Sequence, residues 1–160
     1  MQRFVYPMAC SLINHAKVGS GIYAGECAAI AQFTLPGNSS PICPHPTADW
    51  RRGEKVRSNR SLQRGTLIAI FHPNQAGEWR YVNKKGGIAH TALYVGQSDE
   101  GIEVVHQWQG PHPIKGTLIR FGGNKVPGHD SGVSRRNQLF NIVTPEDDAD
   151  NYYTVTLDAP

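Results

Sequence analysis

The stretch Glu26-Cys27-Ala28-Ala29-Ile30-Ala31-Gln32-Phe33 is rich in helix-forming residues. It follows residues 19–25, which contain three glycines. A glycine-containing segment followed by helix formers is typical of a helix start. We therefore expect a helix to open near Cys27 and to carry the thiol at its N-terminus.

Six β-strands are predicted after this helix. Apolar, β-branched and aromatic residues are concentrated in residues 65–71, 90–95, 102–108, 117–121, 139–143 and 152–157. Residues 35–62 hold several Pro and Gly and are expected to form a long irregular connection that shapes a cleft. A helix followed by strands predicts the α+β class, with an antiparallel sheet of about five to six strands packed on helices.

Composition indicates one small domain with many turns. The chain has 160 residues, 17 of them Gly and 11 Pro, so residues 1–160 are predicted to form a single domain without long helices. A net charge of +3 suits an anionic polymer but is low for a dedicated nucleic-acid binder, and no nucleic-acid partner is predicted. No signal peptide and no membrane insertion are expected, because Pro7 and Ser11 interrupt the first apolar run and no stretch elsewhere approaches the roughly 18 apolar residues of a membrane span.

The cysteine count indicates one disulfide and one reactive thiol. Three cysteines leave an unpaired one after a single bridge forms. Cys10 and Cys43 are the pair we expect to be bridged, which leaves Cys27 as the free thiol.

A Cys27 nucleophile needs a partner that takes its proton, because only the thiolate attacks a carbonyl carbon. The predicted partner is His90, which begins the strand 90–95 directly after the flexible residues 84–87. In an antiparallel sheet the next strand can bring His106 beside His90, where it would orient the imidazole ring. Gln107 points to the opposite face of that strand and is the alternative third residue.

Four segments carry a family resemblance: Gly25-Glu26-Cys27-Ala28-Ala29-Ile30, Arg64-Gly65-Thr66-Leu67-Ile68, His90-Thr91-Ala92-Leu93-Tyr94-Val95-Gly96 and Val105-His106-Gln107-Trp108. Together they resemble the NlpC-type papain-like peptidases and, within them, the amidase effectors of bacterial type VI secretion. The resemblance implies a papain-like fold, with Cys27 as nucleophile, His90 as base and His106 as the third residue. The Asp-Cys-Ser-Gly signature of housekeeping members is replaced here by Glu26-Cys27-Ala28-Ala29.

The resemblance also implies an activity and a setting. The activity is hydrolysis of amide bonds in peptidoglycan stem peptides or cross-links through a thioester, without a metal or organic cofactor. The expected protein is an antibacterial monomer that a dedicated machine secretes into the periplasm of a recipient cell, with a cognate immunity protein in the producer. Tyr23, Trp108 and Trp50 are the candidate substrate-binding residues.

Other functions remain open at the level of sequence. A phage-type lysin, a wall-remodelling enzyme or a histidine-dependent amidohydrolase of the same superfamily would use the same three residues. A zinc site is disfavoured because Cys43 and His45 lack a second paired ligand at a known spacing. A β-rich binding module is the non-catalytic alternative, and it would use the basic residues of the segment 51–60.

Overall fold

The computed structural model describes residues 2–81, 89–122, 140–142 and 148–157, the segment 140–142 by its backbone only. Within these ranges, nine strands form one sheet in the order β3-β4-β1-β9-β2-β5-β6-β7-β8. Each neighbouring pair is antiparallel except β7 and β8, which are parallel. The strands are β1 (Arg51–Lys55), β2 (Leu67–Ile70), β3 (His72–Pro73), β4 (Trp79–Arg80), β5 (Thr91–Gln97), β6 (Gly101–His106), β7 (Lys115–Arg120), β8 (Phe140–Ile142) and β9 (Tyr152–Thr156).

Helical structure is sparse in the described part of the chain. The α-helix there, α1, comprises only Ala29–Gln32. Short 3₁₀ turns occur at Ala9–Leu12, Gly21–Tyr23, Thr47–Asp49, Val56–Ser58 and Ala149–Asn151. None of the helices in these ranges has the length and apolar character needed to cross a bilayer.

The prediction of an α+β papain-like fold with a sheet packed on helices is therefore wrong. Residues 26–33 do favour a helix, but α1 ends after one turn because Phe33 is extended and Pro36 and Gly37 follow. A helix of one turn has little intrinsic stability and is held by the burial of Ala29, Ile30 and Ala31. It begins two residues after Cys27, so the thiol precedes the helix and is not its first residue.

The predicted strands agree with the structure more closely than the predicted helix does. Each of the six predicted segments overlaps an observed strand: β2, β5, β6, β7, β8 and β9 in chain order. The strands β1, β3 and β4 were missed, and β1 lies inside the connection 35–62 that was expected to be irregular. All five β1 residues are charged or Gly, and all five are half-buried, so β1 shows no apolar alternation.

Apolar clusters cover both faces of the sheet. Successive residues of β2 alternate between them: Leu67 and Ala69 belong to one cluster, Ile68 and Ile70 to the other. The first cluster includes the N-terminal segment and the helix through Tyr6, Leu12, Ile30 and Trp50. All four residues of β2 and all six of β6 are consequently buried.

Three arginines of the basic segment 51–60 pair with other groups of the chain. The guanidinium of Arg52 lies 4.0 Å from the ring centroid of Trp79. Arg57 forms an ion pair with Asp150 at 2.6 Å, and Arg60 forms another with Asp99. These arginines are already engaged within the protein.

Candidate active site

Cys27 lies in the turn before α1, half-buried, with its Sγ 3.3 Å from the Oη atom of Tyr81. It also hydrogen bonds with the imidazole of His90 and accepts from the backbone N–H of Thr91. Burial on its own would raise the pKa of the Cys27 thiol, but the hydrogen bond and charge of His90, followed by the bonds from Tyr81 and Thr91, lower it below its ordinary value. The surroundings of the thiol favour the thiolate.

His90 and His106 form a hydrogen-bonded pair on neighbouring strands. His90 immediately precedes β5, and its Nε2 lies 2.6 Å from Nδ1 of His106, the last residue of β6. The two rings are nearly perpendicular, at 80°. Residues 84–87, expected to be the flexible lead into His90, lie outside the described residues.

His106 is held neutral by its surroundings. The residue is 1% exposed, and its Nε2 lies 2.6 Å from the hydroxyl oxygen of Thr117 on β7. Burial and the positive charges of His90, His112 and Lys115 lower the pKa of His106 well below its ordinary value. The structure thus brings together all three residues of the predicted triad, in the order Cys27, His90, His106.

Gln107, the alternative third residue, contacts the nucleophile segment instead of His90. Its Nε2 donates to the backbone oxygens of Val18 and Glu26, at 3.0 and 2.7 Å. Its Oε1 accepts from the backbone N–H of Val18 at 2.9 Å. Gln107 therefore ties the segment that leads into Cys27 to the end of β6.

Tyr81 is a site residue that the sequence did not reveal. It is 6% exposed, and burial, followed by the negative charge of the Cys27 thiolate, raises its pKa well above the ordinary value. The hydroxyl of Thr91 donates to Tyr81 Oη at 2.9 Å, which leaves the phenol proton to be donated to the Cys27 sulfur. No pattern around Tyr81 signals this role, because the residue follows the two-residue strand β4.

The candidate substrate-binding residues separate into two groups. Tyr23 is 50% exposed and lines an open cleft of about 370 Å³, together with Glu26, Ala28, Gln32, Phe33, Pro44, Pro46 and Thr47. Cys27 itself is not among the lining residues, although both of its sequence neighbours are. Trp108 is 36% exposed, and its ring centroid lies 4.8 Å from that of His106. Trp50, in contrast, is fully buried and donates its indole N–H to the carbonyl of His45, so it offers no surface to a substrate.

The expected disulfide between Cys10 and Cys43 is not formed in the structure. Both residues are free thiols, Cys10 half-buried and Cys43 buried. In the described ranges, no group of three or more His, Cys, Asp or Glu side chains is arranged to hold a metal ion.

A family model and a curated relative both match this chain. The sequence model of the family described as domesticated amidase effector 2 (Dae2) matches residues 5–133, which include all three residues of the predicted triad. This chain belongs to that family. A curated relative of this Dae2 family chain is the "Type VI secretion amidase effector 2 protein" of Salmonella typhi, 31% identical over 106 residues, which are 66% of this chain and 68% of the relative.

A solved structure also resembles this Dae2 family member in fold. It is named "Type 6 secretion amidase effector 2 (Tae2)" and aligns with a TM-score of 0.66 over 98% of this chain and 96% of its own. Its sequence identity is 24%, so the match is evidence of a shared fold. The predicted resemblance to type VI secretion amidase effectors is confirmed.

Proposed function

We propose that this protein hydrolyses amide bonds of peptidoglycan by nucleophilic catalysis at Cys27, with His90 as general base and acid. The observation that carries the proposal is the hydrogen-bonded chain from Cys27 through His90 to His106, in a protein whose relatives are named amidase effectors. A thiol with a lowered pKa beside an imidazole is the arrangement that cysteine hydrolases use.

Acylation begins with transfer of the Cys27 proton to His90. Nε2 of His90 is engaged with His106, so Nδ1 is the nitrogen available to the thiol. The thiolate attacks the carbonyl carbon of the scissile amide and forms a tetrahedral intermediate. His90 then protonates the leaving amine, the C–N bond breaks, and a thioester with Cys27 remains.

The oxyanion needs donors close to Cys27. In the described part of the chain, the backbone N–H of Cys27 donates to no backbone carbonyl, so it is available for this purpose. The Tyr81 hydroxyl, 3.3 Å from the sulfur, is a second donor in reach. In deacylation His90 takes a proton from water, the water attacks the thioester, and the product carboxylate leaves with the thiol restored.

The cleft lined by the sequence neighbours of Cys27 is the proposed binding site for the peptide substrate. Glu26 and Ala28 flank the nucleophile in sequence and line this cleft with the exposed ring of Tyr23. Trp108 contributes an aromatic surface next to His106. A stem peptide or cross-link bound here would lie next to the two residues that flank the nucleophile.

The proposed setting follows from the names of the relatives. The protein is an antibacterial effector that type VI secretion delivers to the periplasm of a recipient cell, and a cognate immunity protein protects the producer. A competition assay between secreting cells and susceptible neighbours tests this setting. The neighbours should survive when the effector carries Cys27→Ala and die when it carries Cys10→Ala.

The decisive experiment is chromatography with mass detection of muropeptides from purified sacculi. Wild type and Cys10→Ala, a control at another half-buried thiol, should cut amide bonds. Cys27→Ala should be at least about a thousandfold slower, because nucleophile and base act as a unit. The product masses identify the bond.

Two outcomes would contradict the proposal. Cleavage by Cys27→Ala at the wild-type rate would exclude a cysteine mechanism. Absence of cleavage together with resistance of the wild-type thiol to alkylation would favour the binding module, although Arg52, Arg57 and Arg60 of its basic segment are already engaged within the protein.

A further inference from the structure

Thr117 extends the hydrogen-bonded chain of the site by one residue. It lies on β7 opposite Val104 of β6, while His106 pairs with Lys115. Thr117 and His106 are therefore diagonal neighbours whose side chains share one face of the sheet. Thr117 is fully buried, and its hydroxyl oxygen lies 2.6 Å from Nε2 of His106.

The direction of these hydrogen bonds is fixed once His90 carries the thiol proton. A protonated imidazole has an N–H at both nitrogens, so His90 Nε2–H must donate to Nδ1 of His106. His106 must then have its lone pair on Nδ1. A neutral His106 has a single N–H, which must be on Nε2, and the atom in front of it is the hydroxyl oxygen of Thr117.

We propose that Thr117 is a positioning residue that holds His106 in the Nε2–H form, so that His106 accepts from His90 and His90 keeps its lone pair toward Cys27. This inference rests on the proposed role of Cys27 and His90. A hydroxyl is suited to the position, because it accepts from the buried N–H without adding a charge next to the pair.

Removal of the Thr117 hydroxyl would remove the group that favours the Nε2–H form of His106. In Thr117→Val, which keeps the shape of the side chain, the Nε2–H would be buried without an acceptor. The alternative form with Nδ1–H would then compete. In that form, His106 Nδ1–H donates to His90 Nε2, so the proton of neutral His90 must lie on Nδ1. His90 then presents an N–H to Cys27 and cannot accept the thiol proton.

The test compares three variants by rate, by alkylation of Cys27 against pH, and by the ¹⁵N chemical shifts of His106. Thr117→Val should lower kcat about tenfold or more with KM unchanged, and should raise the pH midpoint of Cys27 alkylation by about one unit. Thr117→Ser should restore both values. Thr154→Val is the matched control, since the Thr154 hydroxyl is also fully buried but accepts from the backbone N–H of Glu54.

Other titratable groups near Cys27 and His106 also act on the alkylation midpoint. His90 and Tyr81 contact the Cys27 sulfur, and Glu26 lies close enough for its charge to act on Tyr81. His112 and Lys115 act on His106. None of these groups changes in the three variants, so a shift seen in Thr117→Val alone reports the lost hydroxyl.

Several results would overturn the proposal. One is a wild-type ¹⁵N spectrum with the His106 proton on Nδ1, which needs no variant and no folding control. Others are an unchanged alkylation midpoint in Thr117→Val, or equal impairment of Thr117→Ser and Thr117→Val. If wild type cuts no peptidoglycan but the alkylation and ¹⁵N results are as expected, the proposed function fails and the role of Thr117 stands.

Discussion

Replacing Gln107 by methionine tests the tether that holds the nucleophile segment against the sheet. Methionine has a similar length but makes none of the three hydrogen bonds of the Gln107 amide. Gln107 is fully buried, so water cannot replace those bonds. The loss should therefore affect both the stability of the fold and the position of Cys27.

The expected size follows from which backbone groups keep a partner. The carbonyl of Val18 still accepts from Gly25 N–H, and that of Glu26 still accepts from Ala29 N–H. Only Val18 N–H loses its acceptor, at a cost of about 1–3 kcal/mol, and each of the two other lost bonds costs about 0.5–1.5 kcal/mol. We expect a loss of about 3 kcal/mol in the free energy of unfolding, or about 6–12 °C in Tm for a domain of this size.

The assay is denaturant and thermal unfolding combined with the alkylation rate of Cys27. Gln97→Met is the matched control, because the Gln97 amide also donates to two backbone carbonyls, those of Val56 and Asn59. It should destabilise the protein without slowing alkylation. A loss below about 1 kcal/mol in Gln107→Met, or the same alkylation rate in both variants, would refute the tether.

Three further predictions concern the thiol, a tight turn and a buried imidazole. His90→Ala should raise the pKa of Cys27 above that of an ordinary thiol, because burial raises this pKa more than any other single cause and His90 is the main group that lowers it. An alkylation midpoint that stays as low as in wild type would contradict this. Gly65→Ala should lower the free energy of unfolding by at least about 2 kcal/mol, because Gly65 has a φ of 89° and a Cβ there would lie 1.9 Å from the carbonyl oxygen of Tyr6. A variant that unfolds in urea at the wild-type midpoint would contradict this. Below about pH 6.5 the unfolded chain protonates His106 while the folded chain leaves it neutral. The free energy of unfolding should therefore fall by up to about 1.4 kcal/mol for each unit by which the pH is lowered. His106→Gln should lose that part of the pH dependence in urea titrations between pH 8 and pH 5.

The contact between His90 and His106 could be predicted from sequence because the two residues lie at the ends of strands that are neighbours in both the chain and the sheet. β5 and β6 are joined by a short turn, so the residue before β5 and the residue that ends β6 lie at the same end of the antiparallel pair. This register allowed the contact between His90 and His106 to be predicted. Thr117 lay in a predicted strand, but its contact depends on a diagonal register that strand patterns do not reveal.

The architecture was harder to predict because helix-forming residues do not determine helix length. Residues 28–31 are apolar and become buried, but the helix ends at Gln32 because Phe33 is extended. The strand β1 was missed for the opposite reason. Its polar residues become strand through pairing with β9 and β4, which are distant in sequence.

The shortness of α1 changes the explanation of how the thiol is activated. A helix dipole grows from many aligned peptide groups, and a four-residue helix that starts two residues after Cys27 supplies few of them. The lowered pKa of Cys27 follows instead from direct hydrogen bonds by His90, Tyr81 and the Thr91 N–H, all of which work against burial. Thr91 belongs to β5, His90 immediately precedes it, and Thr91 also orients Tyr81. The sheet therefore provides the base and the donors, while the turn before α1 only has to deliver the sulfur, which explains why Gln107 anchors that segment to the end of β6.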